Sequence, residues 1–158
     1  MRKIICIILV SLVGCSDPDT TADTDLATDP VSPPLTSTLI LRDNFSQESN
    51  TYTQGESIEY SLSVANNTNS DIILNFGSSR QFDFYIQSAG TELWRSSDGL
   101  FFTFALTSLT IPANSSVIIN EVWDQSFSNG SNIPIGGYSA FGSLLNQSPT
   151  DQYDFNIQ

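Results

Sequence analysis

The chain has 158 residues, with 17 acidic side chains against five basic ones and a formal net charge of −12. It contains no histidine, and its single lysine and both cysteines lie within the first 15 residues. Beyond that point, histidine-based catalytic triads, Cys–His pairs, Ser–Lys dyads and histidine-bearing zinc sites are therefore excluded. The acidic balance also excludes nucleic acid as an expected partner, because phosphate binding draws on lysine and arginine.

The first 15 residues have the order of a secretory signal. Arg2 and Lys3 precede ten uncharged, mostly apolar residues, 4–13, and small residues follow. A basic start, an apolar stretch of about 7 to 15 residues and small residues before the cut are what export requires. Because crossing a hydrocarbon core takes roughly 20 apolar residues, we expect residues 1–14 to be a removed signal peptide and not a membrane span.

The tetrad Leu-Val-Gly-Cys at residues 12–15 resembles the lipobox of bacterial lipoproteins. The resemblance implies cleavage between Gly14 and Cys15, a diacylglyceryl group on the Cys15 sulfur, and acylation of the new amino terminus, for example by palmitate. Several acyl chains on one residue anchor a protein durably to membrane lipid. An ordinary secretory signal is the alternative, but Cys15 has no disulfide partner, since Cys6 lies inside the signal. We therefore expect a lipid anchor in the cell envelope. In a host with two membranes, Ser16 after the cysteine resembles outer-membrane lipoproteins, since aspartate at that position is the usual retention signal, and the resemblance implies the outer membrane.

Residues 15–34 form a segment of different composition, rich in aspartate, threonine and proline. Its five aspartates are Asp17, Asp19, Asp23, Asp25 and Asp29. Such a stretch buries too little apolar surface to offset the entropy of ordering, so we expect a disordered tether, extended by like-charge repulsion. A calcium loop is the alternative, but that loop needs a glycine to turn the backbone, and this segment has none.

Residues 35–158 are long enough for one domain, and their pattern is typical of strands. Apolar side chains alternate with polar ones over 58–64, 82–87 and 153–158, a period of two that places them on one face. Further strand candidates are 38–45, 72–76, 100–110, 117–123 and 137–145. About eight short strands separated by turn clusters predict an all-β sandwich, with a barrel as the alternative.

The candidate strand 117–123 breaks the alternation. Val117, Ile119 and Trp123 share a parity with Glu121, which places a carboxylate on the apolar face. We expect a β-bulge or an edge position there rather than a central strand.

This domain contains a series of aromatic and turn landmarks. They are Leu93-Trp94-Arg95-Ser96-Ser97-Asp98-Gly99, Phe102, Ala105-Leu106, Leu109-Thr110-Ile111-Pro112, Val122-Trp123-Asp124, Pro134-Ile135-Gly136-Gly137-Tyr138 and Gly142. In order and approximate spacing, these landmarks resemble the BsuPI family of intracellular proteinase inhibitors. Upstream, residues 58–66 and Phe82-Asp83-Phe84 are similar to the family's opening strands. The resemblance covers most of residues 54–145 and implies an immunoglobulin-like antiparallel β-sandwich. For the founding member it implies inhibition of a subtilisin-type serine protease.

The chain departs from the family pattern in two ways. A Pro-Gly turn is usual where this chain has Pro112-Ala113-Asn114, which changes the turn chemistry but not the expected fold. The namesake acts inside the cell, whereas this chain begins with an export signal, so its target need not be the same protease.

Four landmark side chains have structural interpretations. We expect Trp94 and Trp123 to fill the core of the sandwich. Tyr138 resembles the tyrosine that ties a loop to a sandwich edge through its hydroxyl group. Arg95 either donates to an acidic neighbour or stacks on an aromatic ring, unless it lies free on the surface.

Carboxylate pairs are the remaining route to catalysis. Glu56 with Glu59 and Asp151 with Asp154 have the residue types that glycoside hydrolysis uses. On a strand, however, side chains three residues apart point to opposite faces, so a solvated surface role is favoured. We predict that the protein is not an enzyme and has no cofactor or metal ion.

Two functional hypotheses follow. In the first, the domain presents a rigid loop to the cleft of a subtilisin-like serine protease. In the second, it is a non-enzymatic envelope module that binds a partner or spaces components apart, for example by strand addition at a sheet edge. The candidate protease contacts lie in two loops, 95–101 and 125–133. They are Arg95, Ser96, Ser97, Asp98, Gly99, Leu100 and Phe101 in the first, and Ser128, Asn129 and Gly130 in the second.

Overall fold

A computed structural model describes residues 33–127 and 129–158, and it contains ten strands and no helix over those residues. The strands are β1 (Leu35–Arg42), β2 (Thr51–Tyr52), β3 (Ile58–Asn66), β4 (Ile72–Phe76), β5 (Phe82–Ser88), β6 (Thr91–Arg95), β7 (Thr107–Ile111), β8 (Ser116–Trp123), β9 (Gly136–Leu144) and β10 (Tyr153–Ile157). The predicted all-β class is confirmed. The predicted signal peptide and Cys15 lie outside the described residues, as does the predicted tether up to residue 32.

The strands form two main sheets and a separate pair. One sheet has the order β1-β3-β8, the second has the order β2-β10-β9-β5-β6, and β4 pairs with β7. The neighbours are antiparallel with one exception, since β2 lies parallel to β10 through Thr51 and Tyr52. The sheets therefore match the predicted antiparallel sandwich except at this short parallel edge.

The core lies between the two main sheets. In β3, Ile58, Tyr60, Leu62 and Val64 are buried, as the period of two predicts. They pack with buried side chains of the second sheet, including Phe84, and the rings of Tyr60 and Phe84 lie 5.5 Å apart in an edge-to-face arrangement. Side chains pack closely against the backbone at one point of this core, Gly142. A Cβ atom at Gly142 would lie 3.3 Å from both Leu62 and Phe84, so even an alanine there forces the core to shift.

Two predicted strands end or begin elsewhere. The strand expected at 38–45 is β1 and stops at Arg42, because the Asp43 carboxylate accepts the backbone N–H groups of Phe45 and Gln47, both at 2.9 Å, and turns the chain. The prediction of a strand at 100–110 was wrong over residues 100–106. Only Thr107–Ile111 forms a strand, β7, which pairs with β4.

Two strands were missed. The two-residue β2 is too short to show a period. In β6, Thr91 and Glu92 are exposed and the register with β5 shifts between Ile86 and Gln87, so its sequence lacks the clean alternation of a half-buried strand.

The strand β8 is an edge strand with an unbroken register. Its residues pair with β3 in sequence from Ser116 opposite Ala65 to Trp123 opposite Ile58. Glu121 lies on the half-buried side of the alternation, as its parity predicts. The expected edge position is confirmed, and the alternative expectation of a bulge is wrong.

The turn at Pro112-Ala113-Asn114 forms although its sequence departs from the family's usual Pro-Gly. Asn114 has a φ of 52°, a left-handed conformation that asparagine adopts more readily than most residues other than glycine. The Asp71 carboxylate also accepts the Ala113 N–H at 3.0 Å, which fixes the turn.

At the start of the described chain, the carbonyl oxygens of Pro33 and Pro34 accept hydrogen bonds from Asn67 at 3.0 and 2.9 Å. The last two residues of the predicted tether thus contact the domain. Among the described residues, there is no helix of the length and apolar character that a membrane crossing needs.

Candidate functional site

The segment 96–106, which joins β6 to β7, exposes several large apolar side chains. Phe101 and Phe104 are fully exposed, Leu106 is 88% exposed and Leu100 is 61% exposed. These four large apolar side chains lie within seven residues, and we call the whole segment 96–106 the apolar loop. Exposed apolar patches of this kind on a soluble domain mark interaction sites.

The first end of the apolar loop is held by a buried carboxylate. Asp83 on β5 is 1% exposed and accepts hydrogen bonds from the Ser96 hydroxyl at 2.9 Å, the Ser97 hydroxyl at 3.0 Å and the Ser97 N–H at 3.2 Å. It also forms ion pairs with Arg80 and Arg95, the latter at 3.0 Å. A buried charge is tolerated only when it is paired and hydrogen-bonded in this way, so Asp83 fixes the backbone where the loop begins.

Arg95 links this carboxylate to the surface of the sheet. Its Nε donates to Glu92 at 2.8 Å, and its guanidinium lies 4.6 Å from the centre of the Tyr85 ring. The hydrogen bond to Glu92 raises the pKa of Arg95 above its ordinary value. Both expected roles, pairing with an acid and stacking on an aromatic ring, are confirmed.

The middle of the apolar loop is held by the β4–β5 connection. The Thr103 N–H donates to the Ser79 hydroxyl, and the Ser79 N–H donates to the Thr103 carbonyl, both at 3.0 Å. Next to this clamp, Phe102 is half-buried, and the Arg80 guanidinium lies 6.0 Å from its ring centre. The next anchor is Thr107, whose hydroxyl donates to the Ser78 carbonyl at 2.8 Å.

A small cleft lies beneath the apolar loop. Its lining includes Arg80, Phe82, Ser97, Leu100, Phe102 and Glu121. The cleft brings the loop and the β4–β5 connection next to the edge strand β8.

Trp94 and Trp123 close the same edge of the sandwich. Their ring centres lie 5.2 Å apart, and both rings lie within 6.4 Å of Tyr60. Trp123 is buried and donates from Nε1 to the Ser126 carbonyl at 2.9 Å. The expected core role is confirmed for Trp123, while Trp94 is half-buried and packs against the core.

The two candidate loops leave this edge in opposite directions. Trp94 contacts Trp123, whereas Ser96 and Ser97, further along the chain, line the cleft with Glu121, which precedes Trp123. The strands β6 and β8 therefore run in opposite directions past this contact. As a result, the chain that follows Arg95 leads away from the chain that follows Trp123. The structure does not bring the two sets of predicted contacts into one surface.

The second candidate loop is a hairpin with a polar tip. The Phe127 N–H donates to the Ser131 carbonyl at 2.8 Å, and Asn129 accepts from the Ser131 N–H and hydroxyl. Asn129 and Gly130 are exposed, and Ser128 lies outside the described residues.

The base of the hairpin is fixed by Gln125, which is 1% exposed. Its side chain donates to the Thr53 carbonyl at 2.9 Å and accepts the Gly55 N–H at 2.8 Å. Ile133, on the other side of the hairpin, is fully buried, so the hairpin, like the apolar loop, is fixed to the domain.

Tyr138 has the expected structural role. Its hydroxyl donates to the carbonyl of Pro134, four residues upstream, at 2.5 Å. This is the bond of the tyrosine that ties a loop to a sandwich edge, and burial raises the pKa of Tyr138.

The two carboxylate pairs have other partners. Glu56 lies in the turn before β3 and accepts the Thr53 N–H at 2.9 Å. Asp154 accepts hydrogen bonds from Ser139 on β9 and from Gln152, and the bond from Ser139 lowers its pKa. Glu56 and Asp151 precede their strands, so the opposite-face geometry that was expected for each pair does not describe them. Within the described part of the chain, no three histidine, cysteine or acidic side chains are grouped as metal ligands.

Sequence reasoning missed four features of the site: the buried state of Asp83, the clamp at Ser79, and the exposure of Phe104 and Leu106. Asp83 stands between two phenylalanines in an alternating strand, where the pattern predicts an exposed side chain. A signal was available in the run of apolar residues 100–106 between two turn clusters, but it was assigned to a strand.

Solved structures with a similar fold have low sequence identity to this chain. An alkylpurine DNA glycosylase from Pseudomonas fluorescens bound to abasic-site DNA matches with a TM-score of 0.50 and 12% identity, over 79% of this chain and 30% of the glycosylase. A β-glucosidase from Listeria innocua matches at 0.45 and 10%, over 90% and 20% of the two chains. The CARDB domain of a Pyrococcus furiosus protein matches at 0.41 and 10%, over 78% and 94%. The chain thus spans about a third or less of the two enzymes, and the likeness to the glycosylase concerns the fold alone.

The search of the curated proteins found no match. The model of the intracellular proteinase inhibitor family BsuPI matches residues 45–148, well over half of the chain. The match includes β2 to β9, the apolar loop and the polar hairpin. The chain therefore belongs to the BsuPI family of intracellular proteinase inhibitors.

Proposed function

We propose that this protein is a lipid-anchored inhibitor that binds a serine protease through the apolar loop. The observation that supports this most directly is a run of exposed apolar side chains at 100–106 within a proteinase-inhibitor-like domain. The family supplies the class of partner, and the loop supplies a surface that such a partner can bind.

Inhibition requires a loop that loses little entropy when it docks, because the cost of ordering is subtracted from the affinity. The apolar loop meets this requirement through Asp83 at its start and Ser79 at its middle. A protease–inhibitor interface buries about 800 Å² on each partner. Phe101, Phe104 and Leu106 would form the apolar centre of such an interface, and the polar hairpin lies in the other direction.

The same protein would be held at the cell envelope through Cys15. The sequence supports this with a basic start, ten apolar residues and a lipobox-like tetrad. After cleavage, the chain would have three arginines against 17 acidic side chains, a net charge of −14. Anionic lipid repels such a surface, so the acyl chains would provide the attachment.

Protease inhibition is tested with the full chain purified in detergent. Subtilisin-like serine proteases are mixed with it, and hydrolysis of a chromogenic peptide is followed. We expect loss of peptidase activity at micromolar or lower inhibitor. Full protease activity at that concentration contradicts the proposal.

The anchor is tested by growth with labelled palmitate. We expect the label in the membrane-bound protein, and its loss in Cys15→Ser. The matched control is Cys6→Ser, which changes the other cysteine and should keep the label. An unlabelled wild-type chain recovered from the soluble fraction contradicts the anchor.

A binding module without protease inhibition is the second candidate. It is favoured by the edge strand β8, where Ile118 is 66% exposed and Val122 is 61% exposed on the outer face. Such an edge can recruit a partner strand. Failure of the inhibition assay, together with a partner whose binding is lost in Ile118→Lys, would support this candidate.

A further inference from the structure

We infer that Phe101 is the anchor of the apolar loop, and that it enters a primary specificity pocket lined by apolar groups. This rests on the proposed function and narrows it to proteases that select large apolar residues. The phenyl ring of Phe101 is fully exposed although the backbone on both sides is held.

The fixed points lie close to Phe101 on each side. Upstream, the Leu100 N–H donates to the Ser97 carbonyl at 3.2 Å, and Ser97 is bonded to the buried Asp83. Downstream, Phe102 is half-buried and Thr103 is clamped by Ser79. A protease that binds Phe101 therefore meets a backbone that is already ordered, and the affinity is reduced less by lost entropy.

Phe104 is equally exposed but is held on one side only. It follows the clamped Thr103, and the next anchor downstream is the side chain of Thr107, three residues on. Ala105 and Leu106 between them are exposed. Of the two phenylalanines, Phe101 is thus the better ordered before docking.

The chemistry of the loop defines the pocket. No charged residue occurs between Gly99 and Thr107. The two nearby arginines, Arg80 and Arg95, are both paired with the buried Asp83, so either one would have to break its ion pair with that carboxylate to act as a basic anchor. An uncharged aromatic side chain fits an apolar pocket and not the acidic pocket of proteases that select lysine or arginine.

Lipid is the other environment that four exposed apolar side chains fit. The charge of the domain favours a protein partner, because the 12 acidic side chains of residues 35–158, against three arginines, oppose approach to an anionic membrane surface. The polar hairpin does not compete for the pocket, since its described tip residues, Asn129 and Gly130, carry no apolar side chain.

The test uses the full chain in detergent and three proteases that select aromatic, basic or small residues. Inhibition constants are measured for wild type, Phe101→Ala, Phe101→Lys and the matched pair Phe104→Ala and Phe104→Lys. We expect wild type to inhibit the protease that selects aromatic residues. Truncation of an interface anchor costs a factor of about 30 or more, and we expect this for Phe101→Ala, with a smaller loss for Phe104→Ala.

The lysine variants test whether the side chain at position 101 determines which protease is inhibited. We expect Phe101→Lys to lose inhibition of the aromatic-selecting protease and to gain inhibition of the basic-selecting one, whereas Phe104→Lys gains none. If wild type inhibits but Phe101→Ala is unchanged, or if Phe104→Ala loses more, the inference is overturned and the proposed function stands.

Two other outcomes also overturn the inference. If wild type inhibits none of the three proteases, the proposed function fails together with it. If the Cys15→Ser chain binds zwitterionic vesicles and Phe101→Ala abolishes that binding, the loop is a membrane contact.

Discussion

The apolar loop and the polar hairpin leave neighbouring edge strands, and each is held by one buried polar side chain. In the loop this side chain is the charged Asp83, which fixes the chain from β5 through two serines and two arginines. In the hairpin it is the neutral Gln125, which bonds the backbone at Thr53 and Gly55. The loop exposes phenylalanine and leucine, whereas the hairpin exposes asparagine and glycine. The comparison shows that rigidity alone does not mark a binding site, since both segments are held and only one offers apolar surface.

The largest expected effect comes from Asp83→Ala. It removes the carboxylate that five side-chain or backbone groups share, and breaking a buried charged network costs about 3 kcal/mol. We expect the free energy of unfolding, measured by urea titration with circular dichroism, to fall by about that amount. The matched control is Asp124→Ala at the base of the hairpin, where an exposed carboxylate accepts the Ser126 N–H at 3.0 Å, and a loss below about 1 kcal/mol is expected. Equal losses of unfolding free energy in the two variants would show that the buried Asp83 network stabilises the domain no more than an exposed carboxylate does.

Gln125→Ala should have the next largest effect. It leaves the Gly55 N–H without its acceptor and removes one of the two hydrogen bonds that the Thr53 carbonyl accepts, the other coming from the Glu56 N–H; we expect a cost of about 2 kcal/mol. Gln125 also has a φ of 61°, so Gln125→Asn, which tolerates this conformation, should recover part of the loss. The measurement is the same urea titration. A stability equal to wild type would mean that the hairpin base does not depend on Gln125, and the parallel with Asp83 would fail.

Ser79→Ala should act locally on the apolar loop. The Thr103 N–H loses its acceptor, which costs about 1 kcal/mol. We expect faster hydrogen exchange at the Thr103 amide, with unchanged exchange at Phe127 and Ile133 in the hairpin. The control is Ser78→Ala, whose hydroxyl accepts the neighbouring Arg80 N–H and does not bond the loop. Faster exchange in both segments would mean that the loop and hairpin are not held independently.

The smallest effect on stability is expected for Phe101→Ala and Phe104→Ala. Both side chains are fully exposed, so the free energy of unfolding should stay within about 0.5 kcal/mol of wild type. The urea titration checks this directly. A loss above about 1 kcal/mol would show that the rings pack on the domain and are unavailable to a partner.

The regular strands could be predicted because one physical rule governs them. In β3 and β10 the large apolar side chains lie on one buried face, so Tyr60 and Phe155 fall on the period that the sequence shows. The all-β class was predicted from the same period of two, whereas the family was predicted from the aromatic and turn landmarks. The edge position of β8 was also predictable, because Glu121 on the inner face is tolerated only where water can reach it.

The candidate site was harder to predict because its features depend on which segments meet. Residues 100–106 have the composition of a strand, but the Thr103 backbone bonds Ser79 in place of a partner strand. Asp83 has the position of an exposed residue, and it is buried because β6 and the start of the apolar loop fold over it. Sequence period describes one strand at a time and cannot report such a covering segment.

The close contact of Trp94 with Trp123 gives this domain a built-in optical reporter. These are the only two tryptophans in the sequence, and they lie together where both the apolar loop and the polar hairpin begin. Fluorescence excited at the red edge of protein absorption, where tryptophan absorbs, therefore comes from this one place in the fold, and no dye has to be introduced. A change in the colour or intensity of that emission on mixing with a tryptophan-free partner would report events at this junction and nowhere else.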